Sequence, residues 1–256
     1  MLGFNGGLIG AARETSFNQS VPGVWTPREQ LKAKRASLWP PSAGEDPYFA
    51  NVSLLLRGDG TNGSTAIIDE SPSPKTITVV GNAQISTAQS KYGGSSIAFD
   101  GSGDYLAITD SSAFEFGSGD FTIELWFYML SLPTSFTMFG GSSGTNFYFG
   151  VGTYSGNRYL VSYNGLTELN QTSGVSITAG VWHHAAHCRS NGTARLFLNG
   201  QLVRSGSFGS ITGTTGYRVG ASPFYSNYWW YGYIDDLRIT KGVARYTSNF
   251  TPPGAL

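Results

Sequence analysis

Phe121-Thr122-Ile123-Glu124-Leu125-Trp126-Phe127-Tyr128-Met129 is the stretch that decides how this chain folds. Phe121, Ile123, Leu125, Phe127 and Met129 occupy every second position, and Thr122, Glu124, Trp126 and Tyr128 stand between them. Neighbouring side chains of a strand point to opposite faces, so this spacing predicts one long strand with an apolar face. A strand so one-sided needs a second layer to cover it.

Working outward, the same period recurs in short runs. Ser53–Leu56, Ser95–Phe99 and Tyr105–Ile108 precede the long strand; Phe147–Val151 and Tyr159–Tyr163 follow it. Val181–Arg189 turns at Ser190-Asn191-Gly192 into Thr193–Leu198, which turns again at Asn199-Gly200 into Gln201–Ser205. Asn-Gly between apolar runs is a strong hairpin signal, because both residues tolerate positive φ. Tyr217–Val219 and Tyr233–Thr240 complete the set. Antiparallel strands this closely spaced predict an all-β, two-sheet jelly-roll sandwich over residues 49–256.

Composition agrees. Glycine supplies 35 of 256 residues and charged residues only 12%, which suits many short strands joined by tight turns. Sixteen basic residues cancel sixteen acidic ones, so no field draws the chain to a phosphate backbone, and nucleic acid is not an expected partner. Cys188 is the single cysteine, which excludes an intrachain disulfide. Met1–Ala12 lacks a basic segment followed by a sustained apolar one, and no stretch approaches a membrane span. The expectation is a soluble chain made in a cytoplasm, with no membrane insertion.

Residues 1–48 read differently. Thr26-Pro27-Arg28-Glu29 combines an N-cap, a proline at the first helical position and a glutamate placed to close a capping box. The predicted helix covers about residues 27–38, because Pro40 and Pro41 cannot continue it. Its apolar stripe is thin, and a helix of roughly three turns is marginal alone in water. Either the segment packs on its own jelly roll, or it is an anchoring arm. In the second case Val24, Trp25, Leu31 and Trp39 bury against another subunit, and Arg28, Lys32 and Arg35 help to seat it.

Three segments together resemble the laminin-G-like branch of the concanavalin A-like jelly rolls. They are Gly119–Phe127, then Trp182-His183-His184-Ala185-Ala186 with Leu196-Phe197-Leu198-Asn199-Gly200, and Gly232–Ile239. The finer resemblance is to versions found in tailed phages. It rests on Leu54–Gly60, on Gly23–Gln30 with Trp39-Pro40, and on Gly242–Tyr246 with Phe250-Thr251-Pro252-Pro253. That likeness implies a protein of the virion, attached through its arm to capsid or tail proteins as a homo-oligomer.

Catalytic patterns are missing. Glucanases of this architecture place carboxylates as E-x-D-x-x-E on one strand, the arrangement a retaining acid and nucleophile at ~5 Å require. Here Glu124 stands alone. His183, His184 and His187 lack the helix and interposed glutamate of a zinc hydrolase. The family resemblance implies His184 beside Trp182, with His183 and His187 facing the other way. Cys188 reads as a small buried residue.

Asp235 alternates with Leu237 and Ile239, which predicts a core-facing carboxylate in need of a partner. Backbone amides or a hydroxyl are one answer. The family resemblance implies another, a structural calcium ion tying the first strand to the last through Asp235 and Asp59.

Phe224–Tyr231 is the most unusual segment. Loop tyrosines and tryptophans present flat apolar faces with a polar handle, which suits sugar rings, so Tyr225, Tyr228, Trp229, Trp230 and Tyr231 are the candidate ligand contacts. The alternative is that Trp229 or Tyr231 closes the end of the sandwich. The resulting expectation is a non-enzymatic phage surface protein, a capsid decoration or tail-associated knob, whose jelly roll meets host-surface polysaccharide. A free carbohydrate-binding lectin is the alternative, and a divergent glycosidase the weakest.

Overall fold

The computed structural model describes residues 46–109, 112–131, 136–142, 146–154, 157–172, 176–212 and 215–256. The predicted helix over 27–38 and the anchoring residues Val24, Trp25, Arg28, Leu31, Lys32, Arg35 and Trp39 lie outside them. The unit from Tyr48 to Leu256 is all-β. Its strands are β1 (Val52–Leu56), β2 (Ile77–Val80), β3 (Gln84–Ser86), β4 (Ser96–Asp100), β5 (Tyr105–Ile108), β6 (Phe121–Met129), β7 (Phe136–Ser142) and β8 (Phe147–Tyr154). There follow β9 (Asn157–Asn164), β10 (Glu168–Asn170), β11 (Trp182–Ser190), β12 (Thr193–Leu198), β13 (Gln201–Ser207), β14 (Thr215–Val219) and β15 (Tyr231–Lys241).

These strands form two antiparallel sheets. One runs β13-β12-β11-β6-β15-β4-β3, with β1 also on β15; the other runs β10-β9-β8-β7-β14-β5-β2. The long strand β6 lies at the centre of the first, flanked by β11 and β15. Its alternation works as the sequence predicts. Phe121, Ile123, Leu125, Phe127 and Met129 join the core shared by both sheets, along with Phe139, Phe147, Phe149 and Tyr217 of the second sheet. Asn191-Gly192 and Asn199-Gly200 all have positive φ, as their hairpin turns demand.

Strands β2, β3, β7 and β10 are not legible in the sequence. Two are only three residues long, and β7 carries Gly140-Gly141 and a register shift between Thr137 and Phe139 that breaks its period of two. Among the described residues no helix is long and apolar enough to cross a membrane.

The eleven-residue β15 exceeds its partners on one edge, so β4 pairs with its first part and β1 with its last. Between them sits a bulge. The register against β6 shifts between Asp235 and Arg238, and Asp236 takes φ +46°. Ile234 and Leu237 therefore both face the core. Asp235 does not; it lies opposite Trp126 on the outer face. The predicted core-facing side for Asp235 is thus corrected: one extra residue reverses the parity that alternation alone assumes.

The segment after β15 crosses the outer face of the first sheet. Tyr246 and Phe250 stack with centroids 3.5 Å apart and cover Ala186, Cys188 and Phe197, a small second core. Cys188 is buried there, and burial pushes its thiol up to about 12, as expected of an inert core residue.

Candidate functional site

The outer face of the second sheet carries an aromatic hollow whose walls follow from strand register. Tyr148 of β8 stands opposite Tyr163 of β9, which stands opposite Glu168 of β10. In the next row Gly150, Val161 and Asn170 align, and beyond it Gly152 faces Tyr159. Gly152 leaves room beside Val161 and Phe136, which form the hollow together with the tall tyrosines. A Cβ on Gly152 would lie 3.4–3.5 Å from Val161 and Tyr159, within the space that is left open. The hollow measures about 100 Å³, and Tyr148, Tyr159, Glu168, Asn170 and Tyr228 line it.

Tyr228 reaches this sheet from the loop 221–230. Trp230 N donates to Gly220 O at 2.7 Å and Ser222 N to Tyr228 O at 3.1 Å, closing the loop at its base. Ser222 Oγ accepts from the amides of Phe224 and Tyr225. Tyr225 packs 4.8 Å from Tyr228 and 6.3 Å from Tyr148. Trp229 stacks on Tyr105, whose other neighbour is the Arg218 guanidinium, 4.2 Å from the ring. The loop is thereby braced against the sheet.

Two polar features mark the hollow. Asn170 Oδ1 is buried without a hydrogen-bond partner, an acceptor that a ligand hydroxyl would satisfy. Burial, with Glu168 nearby, pushes the Tyr148 hydroxyl well above the ordinary phenol value, so it stays a neutral donor.

The five aromatic candidates therefore divide. Tyr228 lines the hollow, Tyr225 packs beside it, and Trp229 stacks on Tyr105 of β5 away from it. Trp230 is fully buried against Phe127 and Phe136, and this core position removes it from the ligand contacts. Tyr231 is 36% exposed but begins β15, on the other sheet. Sequence reasoning missed Tyr148, Tyr159, Glu168 and Asn170. The available signal was outward tyrosines alternating with Gly150 and Gly152.

Glu124 is buried under the C-terminal segment, paired with Arg238 at 2.7 Å and hydrogen-bonded by Tyr246 at 2.8 Å. His184 packs on Trp126 at 5.1 Å, on the face of Trp182, while His183 and His187 point to the opposite side, as the family resemblance implies.

Asp235 and Asp59 both lie against the loop 91–94. Asp235 Oδ2 accepts from the amides of Lys91 and Tyr92, at 2.8 and 3.2 Å, so amide hydrogen bonds do hold this carboxylate. Asp59 lies so close to Gly93 that a Cβ there would fall 1.6 Å from its Oδ1. Burial pushes Asp235 up to about 6, and pushes Asp236 up to about 7 with the charges of Asp235 and Asp59 adding. Asp235 Oδ1 is buried and unpartnered, a position that fits a cation. Among the described residues no three acidic, histidine or cysteine side chains converge enough to hold a metal alone. Calcium would therefore need backbone carbonyls or water as well.

A family model described as the concanavalin A-like lectin/glucanases superfamily matches residues 100–245, more than half of the chain. The chain belongs to this superfamily. Among solved structures that resemble it is domain 4 of AbnA, an extracellular arabinanase from Geobacillus stearothermophilus, in complex with arabinotriose. The identity is 22% and the TM-score 0.59, over 76% of this chain and 94% of that one. The binding domain of Paraclostridial Mosquitocidal Protein 1 is 14% identical with TM-score 0.60, over 77% of this chain and 50% of that one. The botulinum neurotoxin serotype D binding domain is 15% identical with TM-score 0.56, over 78% and 50%. The chain thus spans about half the length of these toxin binding domains. At such identities the likeness establishes the superfamily fold and nothing finer. No curated protein matches the chain.

Proposed function

We propose that this chain is a non-enzymatic, saccharide-binding surface protein of a tailed-phage particle, with the hollow beneath Tyr228 as its ligand site. The observation that carries the saccharide reading is the unpartnered Asn170 Oδ1 in a hollow walled by tyrosines. Sugar rings offer an apolar face to the aromatics and hydroxyl donors to the amide oxygen. The arabinotriose complex of the arabinanase domain supports a saccharide on this fold.

The state of Glu124 supports the absence of catalysis. A glycosidase acid must carry a proton near neutral pH and reach the substrate. Burial alone would raise Glu124, but His184, Arg238 and Tyr246 hold it at about 2, and it is buried. The virion role rests on the sequence resemblance. Residues 1–48 anchor the protein to capsid or tail proteins, and copies assemble on the particle with the jelly roll facing host polysaccharide. A calcium ion at Asp235 and Asp59 would tie the end of β1 to β15.

The test is calorimetry of the full chain with arabinotriose and with tetrasaccharides of glucose, mannose and N-acetylglucosamine. Binding should weaken about tenfold in Tyr228→Ala and in Asn170→Ala, as loss of one aromatic or one hydrogen-bonded contact implies. No binding to any of them, or unchanged binding in both variants, overturns the saccharide site. Release of new reducing ends from the same sugars overturns the non-enzymatic reading. Deleting residues 1–48 should abolish incorporation into particles and leave binding intact; unimpaired incorporation leaves a free lectin instead.

A further inference from the structure

The outer face of the first sheet holds a groove that side-chain size creates. Across three paired strands, Gln84 of β3 aligns with Ala98 of β4 and Tyr233 of β15, and Asp100 aligns with Tyr231. Small Ala98 on the middle strand therefore lies between two taller walls. One wall is aromatic, Tyr231 and Tyr233. The other is amide and hydroxyl, Asn82, Gln84 and Ser86. The cavity is about 270 Å³, close to the lower end for small-molecule sites.

The walls are held in place before any ligand arrives. Gly101 packs under Tyr231, where a Cβ would meet the tyrosine Cβ at 3.0 Å. Buried Asp104 accepts from the amides of Asn82 at 2.7 Å and of Asp100 at 2.9 Å, pinning one end of the groove. Leu130 and Tyr231 stay exposed at the rim, at 45% and 36%.

We infer that this groove is a second saccharide subsite, taking a neutral linear oligosaccharide whose ring faces stack on Tyr231 and Tyr233 and whose hydroxyls bond Asn82, Gln84 and Ser86. The exposed carboxylate of Asp100 accepts hydroxyl donors and repels acidic sugars. The groove and the hollow beneath Tyr228 lie on different sheets, so the two sites stand or fall separately. Together they make one domain bivalent, which raises avidity on a polysaccharide carrying repeated units.

The experiment is amide NMR of the full chain titrated with cellotetraose, maltotetraose, mannotetraose and chitotetraose, with a tetragalacturonate as the acidic control. At least one neutral sugar should shift the amides of Ala98, Tyr231 and Tyr233, and the acidic one should not. Tyr231→Ala should weaken that binding about tenfold at an unchanged melting temperature. Ala98→Leu should abolish it by filling the floor while leaving both walls intact. The inference is overturned if no neutral tetrasaccharide shifts these amides, if the acidic control shifts them as strongly, or if both variants bind unchanged. Failure of the hollow would appear instead at Tyr148, Asn170 and Tyr228.

Discussion

Arg238 donates from both Nε and Nη2 to one carboxylate oxygen of Glu124, Oε1, at 3.0 and 2.7 Å. The other oxygen accepts from Tyr246 and lies 3.4 Å from His184 Nε2. A charge taken this far out of water survives only with such partners. The pair joins β6 to β15, and Tyr246 brings the C-terminal segment down over both. Glu124→Ala should cost roughly 3–5 kcal/mol, because it leaves Arg238 charged and buried, and Glu124→Gln should cost less. Urea denaturation at neutral pH measures both. The folded-state value near 2 lies below the ordinary 4.5, so the contribution is present above 4.5 and lost as pH falls through about 2.

His187 acts over a different range. Burial, with Arg189 adding its charge, pulls this imidazole down to about 3. Ser162 Oγ donates to Tyr148 O, so its lone pair is left to accept from His187 Nδ1, and Nε2 carries no proton and no partner. Unfolding releases the ring to its ordinary value of 6.5. Stability from the neutral ring is therefore present above 6.5 and declines as pH falls toward 3. Relative to the parent chain, His187→Leu should lose less stability between pH 6.5 and 4.5, above the range where Glu124 protonates, while Asp235 and Asp236, raised to about 6 and 7, contribute equally to both. An unchanged slope there would refute the assignment.

Gly200 and Gly192 allow a matched comparison. Both end Asn-Gly hairpin turns, with φ of +78° and +77°. A Cβ on Gly192 meets nothing within 4 Å, whereas one on Gly200 falls 1.9 Å from Phe250 O. Gly192→Ala should cost roughly 1–2 kcal/mol from backbone conformation alone. Gly200→Ala should cost clearly more and free the C-terminal segment, seen as faster tryptic cleavage after Arg245. Equal costs and equal cleavage would show that the Phe250 contact contributes nothing.

Calcium at the β15 bulge has a direct thermal test. Adding calcium to chelator-treated protein should raise the melting temperature, and Asp235→Asn should abolish the rise. A melting temperature indifferent to both chelator and calcium removes the metal.

Strand content was legible wherever a period of two ran unbroken, as it does through Phe121–Met129 and Val181–Arg189. It failed at short strands and at bulges. The aromatic segment Phe224–Tyr231 was visible, yet the fates of its members were not. Trp229, Trp230 and Tyr231 are consecutive, and they go to a loop stack, to the core and to the opposite sheet. Composition assigns them one role because it cannot see which way the backbone turns between them.

Local spacing and turn chemistry were enough for the sandwich, because alternation sorts side chains into two faces and Asn-Gly accepts positive φ wherever it occurs. The position of Asp235, the hollow under Tyr228 and the groove at Ala98 needed three-dimensional packing. Each depends on which strands become neighbours and in what register: Gly150 beside Val161 and Asn170, Ala98 between Gln84 and Tyr233, Asp235 opposite Trp126. Such neighbours lie from about ten to more than a hundred residues apart along the chain, and one bulge residue, Asp236, is enough to reverse the face on which a carboxylate falls.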